Sequence, residues 1–151
     1  MKALSIHSYY ASAIACGLKY VELRTWRTRY TGKLLICSTK ADSKNKDMKD
    51  FFIFGKAIAV AEMIGCDEVN DFYLKQAFVD KDDTIPENCI AWAFSKVKPV
   101  VPFDVKGQQG LFNVDEANIE YLPFDVSTDE GAIALQRWWI ENGYTKEMPW
   151  D

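Results

Sequence analysis

The segment Gly17-Leu18-Lys19-Tyr20-Val21-Glu22-Leu23-Arg24-Thr25-Trp26 crowds an ammonium, a carboxylate, a guanidinium and two aromatic rings into ten residues. A guanidinium presents a planar fork that suits phosphate oxygens or a base edge, and an aromatic face can stack on a base. Arg24 is therefore read as the anion contact, with Tyr20 or Trp26 as the stacking surface. Lys19 suits a general base or nucleophile if burial beside Arg24 lowers its pKa, and Glu22 could then orient it or shuttle a proton. Alternation along a strand sends residues three apart to opposite faces, so Lys19 and Glu22 meet only if Lys19 lies in the preceding turn. The competing reading makes Glu22 and Arg24 a surface ion pair worth about 0–1 kcal/mol, with Trp26 in the core.

These groups need a helix and a strand to hold them. Ala3 to Ile6 reads as a short strand, and Ser8 caps a helix that carries Tyr10, Ala11 and Ile14 and stops at Gly17. Tyr20 to Trp26 alternates, with Val21 and Leu23 on one face and Tyr20, Glu22, Arg24 and Trp26 on the other. A break at Thr31-Gly32 precedes a buried strand from Lys33 to Ser38. The polar run from Ala41 to Asp50 is a loop or exposed helix. Lys56 to Ile64 predicts an apolar strand interrupted by Glu62, Asn70 to Phe78 a short helix, and Cys89 to Phe94 another strand. Pro99 and Pro102 predict a loop, and Lys106-Gly107-Gln108-Gln109-Gly110 a turn without the glycine spacing of a phosphate-cradling P-loop. Ser127 and Glu130 have capping-box spacing ahead of a last helix whose inner face carries Ala132, Leu135 and Trp139 and whose stop is Gly143.

The bulk numbers bound the function. A chain of 151 residues, 48% apolar and 14% aromatic, fits one globular domain over residues 1–151. A formal charge of −4 excludes the uniformly basic surface that drives tight non-specific binding to duplex DNA. Basic residues nevertheless crowd one region, as Lys19, Arg24, Arg27, Arg29, Lys33 and Lys40, while Asp80, Asp82, Asp83, Glu87, Asp115, Glu116 and Glu120 make the later part acidic. Nucleic-acid contact must then be local. The four cysteines are widely spaced and His7 is the only histidine, so neither a metal site nor a cofactor is expected. No apolar stretch reaches membrane-spanning length, and reduced thiols without a preceding signal peptide predict a cytoplasmic setting.

The run from Leu4 to Ser38 resembles the ASCH domain, a branch of the PUA-like superfold. The pattern G-x-K-x-x-E-x-R-x-W is met by Gly17, Lys19, Glu22, Arg24 and Trp26, followed by Gly32 and the strand Leu34 to Cys37. Gly107 to Phe112 is similar to the family's late Gly-aromatic turn. The family's Gln-Pro-aromatic entry to the first helix reads Ser8-Tyr9-Tyr10 here, keeping the aromatic as Tyr10 and replacing the glutamine by Ser8. The resemblance implies a small β-barrel with peripheral helices, of the α+β class. It also implies binding of RNA or DNA, RNA cleavage, or hydrolysis of N4-acetylcytidine by a lysine, a threonine and a glutamate. In this chain that lysine corresponds to Lys19, the threonine position holds Glu22, and Asp80 or Glu62 is left for the glutamate.

The sequence thus points to a cleft built from Ser8, Tyr10, Lys19, Glu22, Arg24, Trp26 and Arg27, holding RNA, single-stranded nucleic acid or a modified nucleoside. The alternatives are a small hydrolase using Lys19 with Glu22, and a protein-interaction module using exposed aromatics such as Trp138.

Overall fold

The computed structural model describes residues 1–40, 49–78, 85 and 87–148. Strand β1 (Lys2–Ile6) leads into α1 (Ser8–Ala15), then β2 (Val21–Arg24), β3 (Gly32–Ser38) and the long β4 (Lys56–Glu68). A short α2 (Asp71–Gln76), the longer β5 (Ile90–Asp104), the brief β6 (Phe112–Asn113) and α3 (Asp129–Glu141) complete the order. The six strands form one sheet in the order β2-β5-β4-β3-β1-β6. Among the described residues only β1 and β3 run parallel, and every other ladder is antiparallel.

The sheet curls. Arg24, on the edge strand β2, donates a 2.6 Å hydrogen bond to the carbonyl of Ser5 on β1, four strands away in sheet order. In a flat sheet those strands would lie about 19 Å apart, given a spacing near 4.8 Å. Bulges supply the bend: register slips once between β3 and β4 and three times between β4 and β5. One of the latter holds Lys96 at φ 48°, a left-handed conformation uncommon outside glycine. Curling does not amount to closure, which corrects the barrel expected from the sequence. No ladder joins the two ends among the described residues, because β2 has only four residues and β6 two.

Both faces of the sheet are covered. Leu4, Ile6, Leu34, Ile36, Met63, Trp92 and Phe94 pack with α1 and α3 in the main core, through Ile14, Leu135 and Trp139. Ala3, Leu35, Cys37, Val60, Val100 and Phe112 form a second cluster on the opposite face. A third, smaller cluster buries Val21 against Ala77 and Ala91. The alternation read for β2 holds: Val21 and Leu23 join this third cluster, while Glu22 stands in register with Trp92 of the main core.

Several boundaries move. Pro99 and Pro102 lie inside β5, not in a loop. Beyond Phe94 that strand is no longer flanked by β2, and at such an edge a missing N–H is tolerated. The segment around Tyr121 takes up part of it, with the Val101 N–H donating to Glu120 C=O and the Leu122 N–H to Pro99 C=O. Thr128, not Ser127, caps α3, its hydroxyl accepting the Gly131 N–H at 3.0 Å, whereas Ser127 donates to Asp125. Ser8 is the first residue of α1, with His7 at the cap position. At Gly17 the chain turns with φ 73°, and a Cβ there would sit 2.1 Å from the Val126 carbonyl oxygen. Only glycine satisfies both demands. Residues 41–48 of the polar run, and Asp80, Asp82 and Asp83, lie outside the described residues.

Candidate functional site

Lys19 stands in the turn between α1 and β2, and this placement is what lets it meet Glu22. Its ammonium lies 3.1 Å from the Glu22 carboxylate and donates a 2.9 Å hydrogen bond to the Ala77 carbonyl at the end of α2. It also sits over the Tyr10 ring, 4.1 Å from the centroid, a cation–π arrangement. Lys19 is 2% exposed. Burial pulls its pKa below the ordinary 10.5, the neighbouring Glu22 charge opposes that, and the more distant Arg24 charge adds to it.

Glu22 is shared. Its second oxygen is 3.5 Å from the Arg24 guanidinium, which in turn reaches the Ser5 carbonyl at 2.6 Å. The Glu22 side chain is only 10% exposed, so the pair is not the solvated surface contact that charge spacing alone allowed. The row Lys19, Glu22, Arg24 runs from the interior outward and emerges in a cleft of about 760 Å³.

That cleft opens where β1 and β3, the parallel pair, end. Its lining includes Ser5, Ser38, Arg24, Trp26, Lys40, Gly55 and the loop from Lys106 to Gly110. Trp26 is fixed in two ways. Its ring packs edge-on against Trp92 with centroids 4.6 Å apart, and its carbonyl accepts the Trp92 indole N–H at 3.0 Å. The rim loop approaches β1 closely, for a Cβ on Gly107 would come within 2.8 Å of the Ser5 hydroxyl. The lining carries three cationic side chains, Arg24, Lys40 and Lys106, and no carboxylate among the described residues.

The sequence-derived candidates separate into two tiers. Arg24 and Trp26 line the cleft, while Lys19 and Glu22 are buried and the half-buried Tyr10 packs over Lys19; none of the three lines it. Ser8 is fully buried in the first turn of α1. Arg27 is exposed and lines none of this cavity. Glu62 is half-buried on β4, in register with Lys33 and Ser95, and does not reach the cleft. Ser5, Ser38 and Gly55 escaped sequence reasoning, since small residues at strand ends carry no periodic signal; the glycines at 107 and 110 were the visible clue. Among the described residues no group of three histidine, cysteine or acidic side chains converges on a metal position, and no helix is long and apolar enough to cross a membrane.

Comparison with known proteins identifies the family and the fold. The family model of the ASCH domain matches residues 4–107. The crystal structure of an ASCH protein from Zymomonas mobilis superposes with a TM-score of 0.55 at 18% identity, covering 77% of this chain and 88% of that one. A single-residue variant of the same protein gives a TM-score of 0.55 at 14% identity, covering 79% and 98%. At such identities the likeness is one of fold. No curated protein matches the chain.

Proposed function

Because the chain belongs to the ASCH domain family, we propose that it binds single-stranded RNA or a modified nucleoside in the cleft beside Arg24. The carrying observation is the charge of the lining: Arg24, Lys40 and Lys106 line one hollow, with no carboxylate among the described lining residues. Three cations around a concave wall favour a phosphate or another anionic group. Trp26, held rigidly by Trp92, supplies a ring at the same wall, and base stacking on an aromatic face tolerates any base. The buried Lys19–Glu22 pair then serves to position the guanidinium of Arg24.

Fluorescence anisotropy with a labelled short single-stranded RNA tests this reading. Wild type should bind with a log–log salt slope of about −2, from three neutralised phosphates at roughly −0.7 each. Arg24→Ala should weaken binding by roughly tenfold or more, the worth of a charged hydrogen bond. Lys106→Ala should weaken it across sequences and flatten the slope. Unchanged affinity in both variants refutes the proposal.

A second reading, hydrolysis of an acylated nucleoside such as N4-acetylcytidine, draws on the lowered pKa of Lys19 and its contact with Glu22. It requires substrate to reach an ammonium that is 2% exposed and engaged by Ala77. Chromatography after incubation should show deacetylated product with wild type and none with Lys19→Met; intact substrate throughout removes this reading.

A further inference from the structure

A second hollow, of about 530 Å³, shares no lining residue with the cation-lined cleft. Three stretches of chain meet around it: Gly17 and Tyr20 in the turn ahead of β2, Lys96 to Lys98 on β5, and residues 121–127 ahead of α3. Two of its rings are open to solvent, Tyr20 at 38% exposure and Tyr121 at 46%. Lys96 and Lys98 are exposed as well, and the Lys98 ammonium stands 5.9 Å from the centre of the Tyr121 ring. A register slip between β4 and β5 falls here. It holds Lys96 at φ 48° and keeps Lys96, Val97 and Lys98 all on the lining, where plain alternation would turn one of three away. Asp125 is the one acid in the described lining, and its carboxylate accepts the Ser127 N–H at 3.0 Å and the Ser127 hydroxyl at 2.5 Å. Two lysines against one aspartate leave the lining a net charge of +1.

On the premise that the cleft beside Arg24 holds single-stranded RNA, we infer that the same strand continues into this hollow, where a base stacks on Tyr20 or Tyr121 and a neighbouring phosphate meets Lys96 or Lys98. Exposed rings interleaved with lysines are the elements of a sequence-tolerant single-strand site. Strand β2 joins the two places: Tyr20 stands just ahead of it and lines one, and Arg24 ends it and lines the other. Their backbones lie about 13 Å apart at about 3.3 Å per residue, the length of roughly four stacked nucleotides at about 3.4 Å each. The volume falls within the range of about 300–1,000 Å³ typical of small-molecule pockets, which gives room for a nucleotide. Tyr20 and Trp26, alternative stacking rings in the sequence, are set by the fold in different hollows.

Calorimetry with oligouridylates of three and twelve nucleotides tests the inference. The trimer is too short to reach both places, so wild type should bind it through the cleft, and Arg24→Ala should weaken both oligomers. Tyr20→Ala combined with Tyr121→Ala should weaken the dodecamer at least roughly fivefold, the least that one stacked base contributes, and leave the trimer unchanged. Tyr20→Trp combined with Tyr121→Trp should bind the dodecamer at least as well as wild type, since stacking needs only an aromatic face. Lys98→Gln should flatten the dodecamer's log–log salt slope by about 0.7 and leave the trimer's slope unaltered. Dodecamer binding unchanged by the double alanine variant and by Lys98→Gln, as when the hollow receives a protein partner, overturns the inference while the cleft reading stands. Equal weakening of trimer and dodecamer by the alanine pair overturns it too. Absence of binding by wild type to either oligomer refutes the cleft reading itself. Should the alanine pair fail to fold, the slope of Lys98→Gln decides.

Discussion

The ammonium of Lys19 and the carboxylate of Glu22 lie 3.1 Å apart, with side chains only 2% and 10% exposed. Removing one member of such a pair leaves the other charge with too few partners in a medium that solvates it poorly. Lys19→Met should therefore destabilise the fold by about 3 kcal/mol, as read by urea denaturation. Glu22→Gln in the same background should recover part of that loss, because the stranded charge is gone. Additive losses would contradict the coupling.

The same lysine gives stability a pH dependence on the alkaline side. Its folded pKa lies below the ordinary 10.5, so between those two values the unfolded chain holds a proton that the folded chain has released. Stability then rises with pH through that window, and the gain is lost as pH falls through the folded value. The difference in unfolding free energy between wild type and Lys19→Met should thus widen in favour of wild type on approaching 10.5. A flat difference would mean that burial does not depress the ammonium.

Gly17→Ala should cost roughly 2–4 kcal/mol, since a left-handed backbone and a carbonyl contact are both violated. The clash is with the Val126 oxygen at 2.1 Å, part of the backbone and unable to rotate away. Gly143→Ala, at φ 80° but with nothing within 4 Å, should lose only the conformational part. Comparable losses in the two variants would refute the packing argument.

Trp92→Phe should lower RNA affinity without touching the cleft. It deletes the 3.0 Å hydrogen bond that fixes the Trp26 backbone and part of the edge-on ring contact, worth about 1 kcal/mol in stability. Anisotropy should show weaker binding with the salt slope unchanged, because no phosphate contact is lost. A changed slope would place Trp92 in the electrostatic part of the site.

Thiol reactivity should divide the cysteines. Burial raises Cys16 and Cys37 to about 12, while Cys66 and Cys89 are partly exposed. Mass spectrometry after brief iodoacetamide treatment of native protein should find label on Cys66 and Cys89, with Cys16 and Cys37 modified only after unfolding. Early label on Cys37 would contradict its burial in the cluster with Leu35, Val60 and Val100.

Local signals made much of this architecture legible. The stop at Gly17, the alternation through Glu22 and Arg24, and the inner face of α3 all follow from short-range geometry, and the structure reproduces them. What stayed hidden is long-range. That β5 runs through Pro99 and Pro102 depends on which edge its neighbour leaves open, and the ring failed to close because two end strands are too short. The site divides the same way: strand alternation makes the turn at Lys19 the condition for its contact with Glu22, whereas Ser5 and Gly55 are brought to the cleft by the curl of the sheet.

The link from Arg24 to Ser5 makes one guanidinium both a strut across the gap in the sheet and part of the cleft wall. An anion seated on that group would hold the strut in place, so occupancy and resistance to unfolding become a single observable. Candidate ligands can accordingly be ranked by the rise in melting temperature they produce, with no assay of chemistry, and a truncated residue 24 should erase the ranking.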